Sequence, residues 1–426
     1  MSKEKRRVPK LRFPGFTEDW EQRKLSDIST KVTTKNVDVH YMETLTNSAE
    51  QGIISQVDFF DKEISNKDNI NGYYIVENND FIYNPRISTL APVGPINRNK
   101  LNRTGIMSPL YTVFRASNVD LGFLEWYFQS SYWHRYMKLN GDSGARADRI
   151  AIKDSTFFDM PIKTPVNIKE QVLIGEILEK FNQYITLHQR KLNNLKLKKK
   201  ALLQKLFPKN EERYPELRFP GFTDAWEQRK LGEIFEYLQN NTLSRDSLNY
   251  KIPNIKNIHY GDILVKFNEI LDGSNKDIPY INPDLDLSKF SKSLLRDGDV
   301  IFSDTAEDDT VGKAIELQNV NAPFILSGLH TIPCRPLIPF GKGYLGNFFN
   351  SNSYRLQIRP LVQGIKVSSI SKSALKDTMI KYPKNLDEQE KIGSLFQSIT
   401  KMITLHQRKL DHLQLQKKAL LQQMFV

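Results

Sequence analysis

The chain has 426 residues, a formal net charge of +12 at pH 7 and one cysteine, Cys334. A lone cysteine excludes an internal disulfide framework and a zinc site of the CxxC type, which is typical of proteins from a reducing cytosol. The charged N-terminal segment MSKEKRRV has no apolar stretch behind it, and no run approaches the roughly 20 apolar residues of a membrane helix, so we expect a soluble, cytoplasmic protein.

One block of sequence occurs twice along the chain. Residues 9–28 return at residues 215–234 with 15 of 20 positions identical, and the octet ITLHQRKL is unchanged at 185–192 and 403–410. The stretches between the repeated blocks share only scattered positions. A repeated frame with two dissimilar inserts predicts two domains built on one scaffold.

Positive charge is concentrated in the N-terminal segment and in two helical regions, whereas the variable stretches 29–160 and 235–380 are close to neutral. The overall charge favours a polyanion as partner. If that partner is nucleic acid, the variable domains must meet it through local clusters of basic and amide side chains. The basic helices would add a background that is independent of base sequence.

The first variable stretch reads as mixed α and β, and its β-rich run contains the strand Asp80-Phe-Ile-Tyr83 followed by a polar turn. Because arginine pairs with guanine edges and amides pair with adenine, polar side chains at such tips could read bases. An exposed loop residue without a binding role is the alternative for any one of them. The candidates in the first domain are Arg86, Arg103, Tyr111, Arg146 and Arg149.

Two long helices follow the two variable stretches, and each is predicted from apolar residues at alternating spacings of four and three, the pattern of a heptad seam. The first seam contains Ile174, Leu178, Phe181, Ile185, Leu192, Leu195, Leu202 and Leu206, and the second contains Ile392, Phe396, Ile399, Ile403, Leu410, Leu413, Leu420 and Met424. We interpret the polar residues that interrupt the seams as fixing the register; they are His188, Lys199, His406 and Lys417.

Each helix start also predicts a capping box, in which Asn167 pairs with Glu170 and Asn385 with Glu388. The two helices are free to lie antiparallel as a shared stem. Two equivalent surfaces on one chain predict two copies of one partner subunit, although a recent duplication is a competing explanation of the near-identity. The candidate spacer and docking residues are Ile185, Leu192, Leu195, Leu202, Ile403, Leu410, Leu413 and Leu420.

The second variable stretch shares strands with the first, but the polar residues in the turns after those strands differ. The strand Asp299-Val-Ile-Phe302 matches the strand of the first domain, and residues 343–351 match residues 122–130, which predicts an aromatic-faced helix packed on the sheet in both domains. Two readers of different targets should differ in this way. The candidates in the second domain are Asp304, Ser327, His330, Lys366 and Lys372.

Motifs for chemistry are weak or missing. The GxGxxG at residues 341–346 lacks its last glycine in the equivalent segment of the first half, so we interpret it as a chance match. Residues 84–86 resemble the start of an adenine-methyltransferase motif but lack the proline and aromatic residue that would follow. We therefore expect no catalytic residue, no metal site and no cofactor in this chain.

The repeated LRFPGFTxxWEQRKLxxI block, the two long helices and the unlike domains between them resemble the specificity subunit of type I restriction–modification enzymes. The resemblance covers essentially the whole chain. It implies that each target-recognition domain reads one half of a bipartite, asymmetric DNA site, and that the paired helices set the spacing and dock two methyltransferase subunits. It also implies restriction subunits in the full complex, with S-adenosylmethionine, ATP and Mg²⁺ bound by the partners.

The expected fold is α+β, with two mixed α/β target-recognition domains joined by two long antiparallel, coiled-coil-like helices in a pseudo-two-fold repeat. The expected bounds are 1–160 for the first domain, 161–214 for the first helix and linker, 215–385 for the second domain, and 386–426 for the second helix. The main alternative function is a stand-alone DNA-binding repressor. A self-contained methyltransferase and a coiled-coil scaffold for acidic proteins fit the sequence less well.

Overall fold

The computed structural model describes residues 7–60, 67–142, 148–209, 211–321, 324–364 and 366–426. The chain divides into two units, of which the first comprises Met1–His188 with Lys409–Val426 and the second Gln189–Arg408. Both long helices run from one unit into the other, so each unit contains one segment of each helix.

The first unit is built mainly from short antiparallel strands. Its strands in the described residues are β1 (Glu21–Lys24), β2 (Ser29–Lys31), β3 (Leu45–Ser48), β4 (Gly52–Ser55), β5 (Tyr74–Val76), β6 (Phe81–Tyr83), β7 (Ile96–Arg98), β8 (Gly105–Met107), β9 (Thr112–Ala116) and β10 (Pro161–Thr164). Its short helices are α1 (Gln56–Phe60), α2 (Leu121–Gln129), α3 (His134–Asn140) and α4 (Asp154–Phe158), and the long helix α5 spans Ile168–Lys205.

The second unit repeats this arrangement with additional strands. Its described strands are β11 (Glu227–Lys230), β12 (Phe235–Tyr237), β13 (Leu248–Asn249), β14 (Lys256–Ile258), β15 (Ile270–Asp272), β16 (Tyr280–Ile281), β17 (Val300–Ser303), β18 (Thr305–Ala306), β19 (Ala314–Gln318), β20 (Ile325–Ser327), β21 (Thr331–Pro336), β22 (Ser368–Ser369) and β23 (Met379–Tyr382). The helices are α6 (Leu231–Ile234), α7 (Tyr260–Val265), α8 (Tyr344–Phe349), α9 (Asn352–Ile358), α10 (Lys372–Lys376) and the long α11 (Leu386–Gln423).

The central sheets of the two units share one strand order. It runs β2-β9-β6-β7 in the first unit and β12-β21-β17-β19 in the second, where β15 extends the edge. The repeated EQRK segment forms β1 and β11, and each pairs antiparallel with the strand that leads into a long helix. The helices α2 and α8 pack aromatic side chains into the cores beneath these sheets, as the sequence predicted.

The long helices contain 38 residues each, which corresponds to about 57 Å of helix. In the first unit the Nζ of Lys417 donates to the Oδ1 of Asn182 at 2.9 Å, and Leu178 shares a core with Met424 and Phe425. In the second unit the ring of Phe207, two residues beyond the end of α5, stacks on the ring of Phe396 with centroids 6.0 Å apart. Early α5 thus packs on late α11 and late α5 on early α11, so the predicted antiparallel helices are confirmed.

The predicted seam positions are all buried or half-buried in their units. The candidate docking residues belong to this set: Leu192, Leu410 and Leu413 are buried, and Ile185, Leu195, Leu202, Ile403 and Leu420 are half-buried. These side chains suit a role in fixing the helix pair. A docking partner would have to contact other positions on the helices.

An arginine from each repeated block holds the start of each long helix. Arg12 donates through Nε and Nη2 to the two carboxylate oxygens of Glu170 at 2.7 and 2.9 Å, and Arg218 holds Glu388 with the same two distances. Both glutamates are only 1% exposed. The predicted capping boxes are therefore wrong in their second half, because each glutamate pairs with arginine and not with the backbone of the capping asparagine.

A glycine near the start of each long helix lets the helix approach its domain closely. A Cβ added to Gly393 would lie 2.2 Å from the carbonyl oxygen of Lys342, whereas one added to Gly175 would lie 3.0 Å from the nitrogen of Phe123. Contacts below 3 Å force the backbone to move. There is therefore less room for a side chain at Gly393 in the second unit than at Gly175 in the first.

We expect Gly393→Ala to lower the free energy of unfolding by about 1–2 kcal/mol, because overpacking outweighs the gain in helix propensity. Gly175→Ala should cost less. Gly72→Ala is the matched control, since its Cβ would meet nothing within 4 Å. Urea unfolding of the three variants measures the order, and equal stability of Gly393→Ala and wild type would contradict the close-approach argument.

Candidate nucleic-acid interface

A buried aspartate anchors the strand that leads to the candidate tip in each domain. Asp80 accepts from Nε and Nη2 of Arg115 at 2.7 and 3.0 Å, and Asp299 accepts from Arg335 at 2.9 and 2.7 Å. Burial raises the pKa of Asp299, while the bonds from Arg335 and the Arg296 amide oppose that rise. The anchor is the same in both domains, so differences between the domains begin beyond the strand.

In the first domain a cleft of about 340 Å³ opens at the tip of β6. Its wall includes Arg86, Tyr111 and Arg149, three of the five candidate residues of this domain. Asn84 organises the turn, because its Nδ2 donates to the carbonyl of Asn47 at 2.9 Å and its Oδ1 accepts from the Arg86 amide at 3.0 Å. The structure thus brings together residues that are 63 positions apart in the chain.

The other two candidates of the first domain are not placed in this cleft. Arg103 donates to both carboxylate oxygens of Glu43 at 2.7 and 2.6 Å, and these bonds raise the pKa of its guanidinium. The Arg103 fork is therefore engaged within the protein. Arg146 lies outside the described residues.

In the second domain the equivalent tip carries an acid and an imidazole. The Nδ1 of His330 lies 3.3 Å from the Oδ1 of Asp304 and 3.4 Å from the Oγ1 of Thr305. The ring of Tyr260 packs edge-on against the His330 ring at 5.3 Å. His330 adopts a left-handed backbone with φ of 54°, so this turn holds the imidazole beside Asp304.

The remaining candidates of the second domain divide into one buried and two exposed residues. Ser327 is fully buried and its Oγ bonds to the Oγ1 of Thr331 at 2.6 Å. Its side chain supports the turn from inside, which corrects the expectation that it contacts bases. Lys366 and Lys372 are exposed.

Sequence reasoning missed three aromatic or imidazole side chains near the tips. Phe59 and Phe60 line the first cleft and are each about 40% exposed. His259 caps α7 by accepting from the Gly261 amide, and burial is the first cause that lowers its pKa to about 4. The adjacent exposed phenylalanines were the one detectable signal, whereas His259 has no equivalent in the first domain.

The glycine-rich segment 341–346 is occupied by a carboxylate of the protein itself. Glu316 accepts from the amides of Gly343 and Gly346 at 2.6 and 3.0 Å. Glu316 is 3% exposed. Burial raises the pKa of its carboxyl, whereas the two amide bonds lower it. A phosphate would have to displace this side chain, which gives a physical reason for rejecting the motif as a nucleotide site.

Within the described residues, no group of three or more His, Cys, Asp or Glu side chains could hold a metal ion. Cys334 is buried, and burial raises the pKa of its thiol. No helix in the described part of the chain is long and apolar enough to cross a membrane.

Comparison with known proteins gives consistent results. Residues 223–415 match the family model of the type I restriction modification DNA specificity domain. The chain is also similar to a putative type I restriction enzyme MjaX specificity subunit from Methanocaldococcus jannaschii, with 24% identity over 223 residues. This match covers 50% of the chain and 49% of the relative, so the chain spans about half the length of the curated relative that it matches.

Two solved structures resemble the whole chain. One is a type I restriction-modification S subunit from M. genitalium, with a TM-score of 0.56, 12% identity and coverage of 98% of this chain and 99% of that one. The other comes from work on complex assembly and conformational transition of a type I R-M system, with a TM-score of 0.50, 14% identity and the same coverage. At these identities the likeness establishes a shared fold.

We expect Arg335→Leu to destabilise the second domain by about 3–5 kcal/mol at pH 7.5, because it leaves the buried Asp299 charge unpaired. Arg335 lowers the pKa of Asp299 against the effect of burial, so this pKa rises further in the variant. Protonation then removes the unpaired charge, and the loss of stability should shrink as the pH falls. Arg229→Leu is the control, since its ion pair with Glu233 is exposed. Urea unfolding at pH 7.5 and 5 tests this, and a loss that grows on acidification would contradict it.

Proposed function

We propose that the chain belongs to the family of type I restriction–modification specificity subunits and gives a type I complex its DNA sequence specificity, as the match of residues 223–415 to that family's model supports. The observation that carries this proposal is the repeated frame with unlike tips. The strands β6 and β17 have the same buried anchor, yet an arginine-lined cleft follows one and an Asp–His pair follows the other. Each domain would read one half of a bipartite, asymmetric site.

The proposed DNA contacts follow from exposure and position. In the first domain they are Arg86, Tyr111 and Arg149, with Arg146 kept from the sequence prediction. In the second domain they are Asp304, His330, Lys366 and Lys372. Arg103 would need to leave Glu43 before it could contact DNA, so we assign it a supporting role.

The chain itself would be non-catalytic. Under this proposal S-adenosylmethionine, ATP and Mg²⁺ act in the modification and restriction subunits. Co-production with the methyltransferase encoded beside it, followed by mass measurement and methylation mapping on a random DNA library, tests the proposal. Two methyltransferases per chain and a split, asymmetric motif are expected. DNA binding by a lone chain without methylation would point instead to a repressor.

Exposed apolar residues at equivalent positions of the two long helices support two docking surfaces. Leu187 and Leu405 are 45% and 65% exposed, and the pairs Tyr184 with Met402 and Leu197 with Leu415 repeat the pattern. A large apolar side chain in water gains free energy when a partner covers it. We propose that these six residues contact the two methyltransferase subunits.

We expect Leu187→Glu or Leu405→Glu to reduce the complex from two methyltransferases per chain to one, and the double variant to bind none. Each substitution places a charge where an apolar contact is proposed. Leu139→Glu is the control, because Leu139 is 72% exposed on the short helix α3. Mass photometry counts the subunits, and a double variant that still binds two would exclude these surfaces.

The long helices would also set the distance between the half-sites. Deleting seven residues from each helix, 188–194 and 406–412, removes two turns and about 10.5 Å while keeping the seam nearly in phase. We expect the spacer of the methylated motif to shorten by about three base pairs, each of which rises 3.4 Å. Methylation mapping measures the spacer, and an unchanged spacer in an assembled complex would refute the ruler role.

A further inference from the structure

Two arginines lie side by side in the wall of the cleft of the first domain. Ile87 donates its amide to the carbonyl of Asp148 at 2.9 Å, and Ile150 donates to the carbonyl of Pro85 at 3.0 Å. Arg86 and Arg149 form the antiparallel bridge between these two bonds. They are thus a non-hydrogen-bonded pair, in which the side chains lie on the same face with Cβ atoms about 5 Å apart.

This pair is unfavourable for the isolated protein. Like charges placed directly opposite each other on a sheet are destabilising. Asp148 is the only acid recorded within ion-pair distance of either guanidinium among the described residues, and its Oδ2 lies 3.9 Å from both Nε atoms, beyond hydrogen-bond length. The Nε of Arg149 is buried and has no hydrogen-bond partner in the described residues. The two guanidinium groups therefore lack hydrogen-bond acceptors, and a ligand could supply them.

The second domain shows that the fold does not require two arginines here. Thr305 pairs with Ser369 at the equivalent bridge, and the amide of Ile370 donates to the carbonyl of Asp304 at 2.8 Å as Ile150 does to Pro85. The same backbone geometry is therefore formed by two small neutral side chains. The arginine pair is therefore specific to the first domain and is not required by the fold.

We propose that Arg86 and Arg149 read guanine in the half-site of the first domain, an inference that rests on the proposed function. Guanine presents the acceptors N7 and O6 in the major groove, and one arginine fork can bond both. Two forks that start about 5 Å apart can reach neighbouring base pairs, which are separated by about 3.4 Å. The half-site of the first domain therefore contains at least one G·C pair, and two adjacent pairs if both forks contact bases.

The hydrogen bonds of Asn84 fix the position from which Arg86 would contact a base. Because Asn84 fixes the Arg86 amide and is itself held by Asn47, the turn cannot shift relative to the rest of the domain without breaking these bonds. Arg149 is held through its neighbours by the two bridge bonds. The pair is thus presented as a rigid unit, which suits discrimination between bases.

The test uses the full complex, with the chain bound to its methyltransferase subunits, and maps the methylated or bound motif on a random DNA library. Wild type, Arg86→Gln, Arg149→Gln and Arg149→Lys are compared. Arg135→Gln is the matched control, because Arg135 is an exposed arginine of α3, outside the cleft. We expect guanine in the first half-site of wild type. Each cleft variant should lose about 5- to 150-fold of discrimination at one position, while the second half-site and the spacer stay unchanged.

Arg149→Lys keeps the charge but not the fork, so it should also relax that position while retaining overall affinity. Uniform weakening without a change of motif would show that the arginines contact phosphates and would overturn the proposal. A wild-type half-site without guanine would also overturn it. Failure of the wild-type complex to bind any split motif would instead overturn the proposed function. An intact second half-site in each variant shows that the chain has folded.

Discussion

The ion pair between each repeated block and the start of each long helix holds together parts of a unit that are far apart in sequence. Arg12 and Glu170 are separated by 158 positions, and Arg218 and Glu388 by 170. The glutamates are almost fully buried, so loss of one arginine would leave an unpaired charge at a cost of about 3–5 kcal/mol. The direction of the helix relative to its sheet depends on this contact, and the domain tips depend on the sheet.

The same constraint explains why the sequence divides into constant and variable parts. The block that carries the arginine also forms β1 or β11, which pairs with the strand entering the helix. A change in this block would disturb the ion pair and the strand pairing together. The turns beyond the strands that Asp80 and Asp299 anchor have no such double role, so they are free to differ between the two domains.

Periodic and repeated features could be predicted from the sequence because they depend on spacing alone. The heptad pattern located the buried face of both long helices, and the match between the two halves located the strand tips. Arg86, Tyr111 and Arg149 lie together because each follows or faces the end of a central strand. Their contacts with DNA stay predictions, as do the domain bounds at 160, 214 and 385.

Features set by distant or competing partners could not be predicted in this way. A capping box is a local pattern, but Glu170 is drawn to an arginine that no local rule reveals. The sequence gives no sign that Arg103 has a partner within the protein, but in the fold it donates to both carboxylate oxygens of Glu43. Ser327 is a polar residue at a predicted strand tip, but its side chain is buried in the fold. In each case the decisive neighbour comes from another part of the chain.

The core of the first unit contains residues from far along the chain, which has a consequence for biosynthesis. The ring of Phe425 lies 5.4 Å from that of Phe123 and 6.4 Å from that of Trp20, and the amide of Leu11 donates to the carbonyl of Gln423. The ribosome must therefore release the whole second unit before the first can close its core. A nascent chain would hold its first domain incomplete throughout translation of the second, exposed to chaperones and proteases, and only a chain translated through Phe425 would have two complete domains.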